Sequence, residues 1–270
     1  MSEARKGSGM PRIAIFIVAY NAESTLCTVI ERIPPAIMEK VEEIFVFDDA
    51  SQDRTAAVGR EYEQRLEQGK LVIHRNPVNL MYGGNQQRGY QYAIARGFDF
   101  VVLLHGDGQY APEVMQELLT PLETGQAQLV MGSRMLVPGA ALRGDMPLYK
   151  FVGNKILTWL ENRLIGTHLS EFHSGYRAYS VAALRTIPLG AMTRNWHFDT
   201  QIILAFLRRG YRIAEVPIPT YYGAEICHVN GIPYALHCIW EALRFAVQYR
   251  LRGLRHRQAN ATPRPFIRKW

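Results

Sequence analysis

Short apolar runs at 13–19, 43–47, 71–75, 101–104 and 129–131, each ending in glycine or a polar residue, constrain this chain more than any other feature. They are rich in Ile, Val, Leu and Phe and too short for buried helices, so they read as strands covered on both faces. Segments of helical period separate them. The first begins at Asn21 or Ser24, either of which can cap it, and stops near Ile33 at Pro34-Pro35. The second runs to about Glu67. The third spans 85–95 and closes at Gly97, and the fourth opens at Pro112 and carries Leu118 and Leu119. This alternation predicts βαβ units on a mostly parallel sheet flanked by helices, an α/β fold.

Beyond residue 134 the pattern changes. Residues 135–147 carry Pro and Gly without a period and read as a mobile loop, whereas 149–164 reads as a helix. A turn and a strand are expected across 172–179, a helix over 198–208 ended by Gly210, and a strand over 212–216 ended by Pro217 and Pro219. From 232 to 254, Leu236, Ile239, Trp240, Leu243, Val247, Leu251 and Leu254 recur at helical spacing, with Arg244, Arg250, Arg252, Arg255 and Arg257 on the flank. The expected organisation is a disordered polar tail (1–11), one α/β domain (12–231), and an amphipathic C-terminal helix with a basic tail (232–270).

With 48% hydrophobic and 20% charged residues among 270, the chain is an ordinary globular one. Cys27, Cys227 and Cys238 have no paired spacing, which suits a reducing compartment. The N-terminus lacks the apolar stretch of a signal peptide, and no run approaches the roughly 20 residues that span a bilayer. Eight of the 31 Lys and Arg residues lie in 244–270, with no acid after Glu241, so the remaining 23 face all 24 acids. The body is near neutral and the arm strongly basic. Such asymmetry points to an anionic surface, membrane or nucleic acid. Beyond the helix only Phe266 and Trp270 interleave with the arginines, so a nucleic-acid platform is not expected.

The chemistry concentrates after the fourth strand, in His105-Gly106-Asp107-Gly108-Gln109-Tyr110. A carboxylate at the carboxyl end of a central strand lies where open α/β sheets bind ligands. Flanking glycines allow close approach to the backbone. Oxygen donors at Asp107 and Gln109 suit a hard divalent cation, although Asp107 read alone can equally cap the next helix. The same residues satisfy a loose dinucleotide fingerprint, G-x-G-x-x-A. A carboxylate inside that turn would repel a pyrophosphate, and the fingerprint belongs on the first βα unit, so that reading is set aside.

Taken together, the strand ends resemble the family 2 glycosyltransferases of GT-A fold, in particular the dolichyl- and polyprenyl-phosphate sugar synthase branch. The resemblance rests on Val18-Ala19-Tyr20-Asn21-Ala22-Glu23, on Asp48-Asp49-Ala50-Ser51-Gln52-Asp53-Arg54-Thr55, and on Asn79 with Gly83-Gly84-Asn85. It continues through His105–Tyr110, Gly132-Ser133-Arg134, Ser174-Gly175-Tyr176-Arg177 and Glu215-Val216-Pro217-Ile218, in order over 13–220. It implies an inverting transfer from a nucleoside-diphosphate sugar to a polyprenyl phosphate. A hydroxyl of a glycan or glycolipid is the alternative acceptor. A protein of this fold that only binds nucleotide is a further reading.

The resemblance assigns Ala19, Tyr20, Glu23, Asp48, Asp49, Gly84, His105 and Asp107 to the donor. It gives Asp107 and Gln109, with His228 as a further candidate, to Mg²⁺ or Mn²⁺. Arg134, Ser174 and Arg177 fall to the acceptor or its phosphate, and Asp199 would be the base for a hydroxyl acceptor. Asp107, Asp199 and Arg134 form the catalytic set. For Asp48 and Asp49 helix capping is the competing role, and Asp53 is expected to cap its own helix. His105 stands where the family has the first Asp of its Asp-x-Asp motif, and can reach a donor oxygen or simply pack at the strand end. Residues 221–231 depart from the basic stretch of that branch. The expected setting is the cytoplasm, peripheral on the inner membrane face through the basic arm. Residues 234–247 are expected to dock on the domain, and a homo-oligomer is compatible with the sequence.

Overall fold

The computed structural model describes residues 10–219, 230–256 and 268–269, with side chains through residue 248. Its strands are β1 (Ile13–Ala19), β2 (Glu43–Asp48), β3 (Leu71–Arg75), β4 (Phe100–His105), β5 (Leu129–Ser133), β6 (Arg177–Ser180), β7 (Ile213–Pro217) and β8 (Arg268–Lys269). Its helices are α1 (Leu26–Glu31), α2 (Pro35–Lys40), α3 (Thr55–Glu63), α4 (Met81–Arg96), α5 (Met115–Glu123), α6 (Ala140–Arg143), α7 (Leu148–Ile165), α8 (Val181–Leu184), α9 (Phe198–Arg208) and α10 (Gly231–His256).

One sheet runs β3-β2-β1-β4-β6-β5-β7-β8. All neighbours are parallel except β6, which lies antiparallel to both β4 and β5. The mostly parallel α/β architecture expected from the alternation is therefore present. Alternation along β1 sorts the core into two layers. Ile13, Ile15 and Ile17 join an aliphatic layer with Leu26 and Ile30 of α1 and Leu118 and Leu119 of α5. Phe16 faces the other way, into an aromatic layer with Phe45, Tyr90 and Phe198. Gly89 permits that packing, because a Cβ there would lie 2.1 Å from Phe16 Cζ.

Several local expectations are corrected. Neither Asn21 nor Ser24 caps α1; Thr25 occupies that position, and Asn21 takes φ 51. Pro34-Pro35 does end α1, but Pro35 also opens α2, as its fixed φ favours. α4 starts at Met81 rather than Asn85, so Gly83 and Gly84 are helical. Residues 135–147 are not a bare loop: they contain α6, and Met135, Ala141 and Met146 form a small core against Phe151. α10 docks on α7 and α9 as expected, but not through the expected stripe. Cys238, Ala242 and Phe245 are buried, whereas Leu236, Trp240, Leu243 and Val247 face outward. Phe245 joins the aromatic layer, so packing crosses the 231/232 boundary.

Candidate active site

The carboxyl ends of β1, β2 and β4 lie side by side, because β1 is the parallel neighbour of both other strands; in open α/β sheets the crevice at this edge is where ligands bind. Thr25 Oγ1 donates to the Gly106 carbonyl at 2.6 Å and ties the β1 loop to the β4 turn. Gly108, at φ +79, turns the chain after Asp107. Asp107 is exposed. Among the described residues its carboxylate accepts one hydrogen bond, from the Gln109 N–H at 3.0 Å. Gln109 is half-buried beside it.

The other carboxylates of this side are turned into the loops. Asp48 is fully buried and accepts from Ser51 N–H and Oγ, with Arg75 Nε 3.4 Å from its second oxygen. Asp49 accepts from Asn76 Nδ2 (2.9 Å) and Leu80 N–H (2.8 Å), so it ties the end of β2 to the residue before α4 and does not cap the helix that follows it in sequence. Burial raises the Asp49 carboxyl above its ordinary range, with these hydrogen bonds opposing. Glu23 accepts from Arg54 N–H; Arg54, not Asp53, is the N-cap of α3, and Asp53 accepts from Thr55 N–H and Glu23 N–H. The Ala19 carbonyl receives Asp49 N–H. Tyr20, at the end of β1, is exposed.

His105 packs at the end of β4. Its Nε2 lies 3.4 Å from Tyr82 Oη, its ring meets Tyr110 edge-on at 5.0 Å, and a Cβ on Gly175 would touch Nε2. Burial lowers its pKa and holds it neutral, with Asp107 and Asp199 opposing. Gly84 packs closely on Leu80 and Arg194. Gly83 and Gly84 N–H both donate to the Arg194 carbonyl, and Asn79 Oδ1 accepts from Met81 N–H, so the start of α4 is already occupied.

Further in, Asp199 lies in the first turn of α9, where the helix dipole favours a carboxylate. Its Oδ2 accepts from Tyr82 Oη at 2.8 Å and its Oδ1 from Gln86 Nε2 at 3.3 Å, with Arg177 Nη1 3.5 Å away. Burial, with Asp199 beside it, holds the Tyr82 phenol well above its ordinary value, so it remains a donor. Both Asp199 oxygens are thus engaged within the fold. Arg177 is turned inward as well. It is fully buried and donates to the carbonyls of Ser174, Phe172 and Asp199, presenting no face to a phosphate. Ser174 is buried beneath it.

Arg134 keeps a partly exposed guanidinium, gripped by Glu171 through Nε and Nη2. Burial opposes ionisation of Glu171, but Arg134's charge and hydrogen bonds, with Asn154, outweigh it and hold the carboxyl below its ordinary value. Arg134 also lines a cavity of about 200 Å³ with Met135, Val137, Ala141, Phe151 and Lys155. His228 lies outside the described residues.

Residues 14–187 match the family model for glycosyl transferase family 2. The chain belongs to that family. It is 31% identical over 252 residues to an undecaprenyl-phosphate mannosyltransferase of Micrococcus luteus, covering 86% of this chain and 98% of the relative. It is 29% identical over 208 residues to a polyprenol monophosphomannose synthase of Mycolicibacterium smegmatis, covering 77% and 76%. Among solved structures, glucosyl-3-phosphoglycerate synthase of Mycobacterium tuberculosis in complex with UDP superposes with TM-score 0.64 at 20% identity, over 91% of this chain and 87% of that one. The fold is thus the GT-A fold of family 2 glycosyltransferases.

Three side chains at this family 2 site escape sequence reasoning. Tyr82 bridges Asp199 and His105, Trp196 stacks on Tyr82 at 4.5 Å, and Arg75 donates to the Ser51 carbonyl beside Asp48. Two of them adjoin quoted motifs: Tyr82 precedes Gly83-Gly84, and Trp196 stands three residues before Asp199. Arg75 could be noticed only as the residue that ends the third strand.

The donor set at the β4 turn fits a divalent cation. One exposed carboxylate with an amide beside it matches Mg²⁺ or Mn²⁺, which take one or two carboxylates and complete their shell with phosphates and water.

Proposed function

We propose that the chain is an inverting glycosyltransferase that moves a sugar from a nucleoside-diphosphate donor to a polyprenyl phosphate, working peripherally at the cytoplasmic face of a membrane. The printed activities of the Micrococcus and Mycolicibacterium relatives support the acceptor class. The observation that carries the reading is the cavity beside Arg134. Two cations, Arg134 and Lys155, meet an apolar wall of Met135, Val137, Ala141 and Phe151, a combination suited to a phosphate bearing a hydrocarbon chain. Lys155 and Phe151 lie on α7, whose Leu148, Tyr149, Val152, Ile156 and Trp159 are exposed. α10 packs against α7 and adds exposed Ile232, Leu236, Trp240, Leu243 and Val247. Two adjoining helices showing tryptophan and aliphatic residues to solvent suit a membrane interface. No helix among the described residues is long and apolar enough to cross one.

Asp107 and Gln109 would hold Mg²⁺ or Mn²⁺, which supplies charge neutralisation for the departing diphosphate. Tyr20 would meet the base, and the loops fixed by Asp48 and Asp49 would shape the ribose pocket. An acceptor phosphate is ionised at neutral pH and needs no general base. An engaged Asp199 is consistent with that and counts against a hydroxyl acceptor.

The test offers purified protein and Mn²⁺ a panel of UDP-, GDP- and CDP-sugars. The acceptor is a short-chain polyprenyl phosphate in vesicles, or its dephosphorylated alcohol. Glycolipid should form on the phosphate alone. Equal turnover on the alcohol, or turnover only on soluble acceptors, would overturn the reading.

A further inference from the structure

Away from the crevice, Glu161 of α7, His173 of the segment before β6 and Cys238 of α10 bring a carboxylate oxygen, an imidazole nitrogen and a thiol together. The three donor atoms lie within 4.8 Å of one another. Glu161 and Cys238 are fully buried, and the His173 side chain is 9% exposed. Glu161 Oε2 and His173 Nε2 lie 3.2 Å apart, an ion pair only when the ring is protonated, and among the described residues neither has a hydrogen-bond partner. Buried polar atoms are ordinarily satisfied, so an orphaned pair aimed at one point calls for a missing ligand.

We propose that Glu161, His173 and Cys238 form a zinc site that fastens α7, α10 and the 171–175 segment together. The donor chemistry selects the metal. Thiolate and imidazole favour Zn²⁺, whereas Mg²⁺ and Mn²⁺ prefer all-oxygen shells. The spacing agrees: ligands about 2.0–2.1 Å from a tetrahedral Zn²⁺ stand about 3.3 Å apart, close to the separation of Oε2 and Nε2. The surroundings orient the ligands. Tyr234 Oη lies 2.9 Å from His173 Nδ1, so Nδ1–H can donate to it and leave the Nε2 lone pair for the metal. Thr200 Oγ1 lies 3.4 Å from Glu161 Oε1 and 3.3 Å from Cys238 Sγ.

Charge balances as well. A carboxylate and a thiolate neutralise one Zn²⁺, and His173 binds as neutral imidazole. Without a cation, burial pushes the Cys238 thiol up to about 12, so it is protonated. Binding breaks the S–H bond, forms the S–Zn bond and releases the proton to solvent. The site is distinct from the Asp107 turn, and its consequence is mechanical. It braces the two helices that carry the exposed apolar residues, and it steadies the segment holding Glu171 against Arg134.

The test uses the full chain with Cys27 and Cys227 replaced by serine, so that Cys238 is the only thiol. After metal stripping, one equivalent of Co²⁺ should give a thiolate charge-transfer band and tetrahedral d–d absorption. One Zn²⁺ should bind per chain, displace the Co²⁺, raise Tm and resist excess Mn²⁺. His173→Gln should weaken Zn²⁺ binding roughly tenfold or more. Glu161→Gln supplies the same readout should that variant fail to fold. Absence of the charge-transfer band in the folded parent, or a variant that binds Zn²⁺ as the parent does, would overturn the proposal.

Discussion

On the β1–β2 side of the crevice, Glu23, Asp48, Asp49 and Asp53 all point into the loops and hold them to one another, and Asp107 alone stands exposed at the β4 turn. On the α7–α10 side the pattern reverses. The charges there, Glu171 and Arg134, are engaged with each other, and what stands exposed is apolar. A polar frame that holds its own shape is preorganised for a small, rigid, charged ligand. An apolar ridge with cations at its edge gains its stabilisation only when something apolar covers it. Under the proposed function, the first side would orient the donor and the second would receive the lipid.

The sharpest way to break that contrast is to remove the exposed acid. Asp107→Asn keeps the turn's shape but takes away its charge, so transfer should fall at least about a hundredfold, with Tm unchanged. Retention of near-normal turnover would mean that the frame does not serve a metal-held diphosphate. The acceptor side offers a stability counterpart. Glu171→Gln leaves Arg134 short of its counter-charge and should cost about 3 kcal/mol, near 5 °C in Tm. The pH dependence has a fixed sign. Glu171 has a folded pKa below its unfolded value of about 4.3, so its contribution is complete above that pH and fades as pH falls through the folded pKa. The variant should therefore lose less stability than the parent on acidification through that window. Identical acid transitions would show that the pair contributes nothing.

Legibility from sequence divides along the same line. Strand ends are readable because a buried parallel strand forces an apolar run and a turn must interrupt it, and the Asp107 turn stands out for that reason. The burial of Arg177 and Asp199 was not legible, because charge ordinarily marks solvent or ligand, while here the two lie side by side, Arg177 on backbone carbonyls and Asp199 on Tyr82 and Gln86. β6 reads as a strand but not as an antiparallel one, since its direction is set by the long excursion through α6 and α7. The outward face of α10 was hidden by the rule that apolar stripes turn inward. Small residues such as Cys238 and Ala242 make the actual contact, leaving the larger ones outside. The Glu161, His173 and Cys238 cluster draws on three elements and has no local spacing to betray it.

The apolar ridge can be tested without disturbing the frame. Trp159 is 64% exposed and Trp240 60%, so replacing both by alanine should leave Tm nearly unchanged. Binding to vesicles of zwitterionic and anionic lipid should weaken about tenfold or more. Turnover on a short, soluble polyprenyl phosphate should hold, since Asp107 and the Arg134 cavity are untouched. Vesicle binding equal to the parent's would assign membrane contact elsewhere.

The smallest expected effect probes the polar frame itself. Ala50 follows Asp49 at φ 57, in the left-handed region that costs a non-glycine residue about 1–2 kcal/mol. Glycine would relieve that strain but adds about 0.4–1 kcal/mol of unfolded-state freedom, so Ala50→Gly should stabilise by about 0.5 kcal/mol. The same freedom loosens the loop before a donor arrives. The KM for the nucleotide sugar should rise severalfold while kcat holds, because ordering would then accompany binding. A lower Tm would mean that Ala50 is not strained, and an unchanged KM would mean that the Asp48–Asp49 loop does not shape the donor pocket.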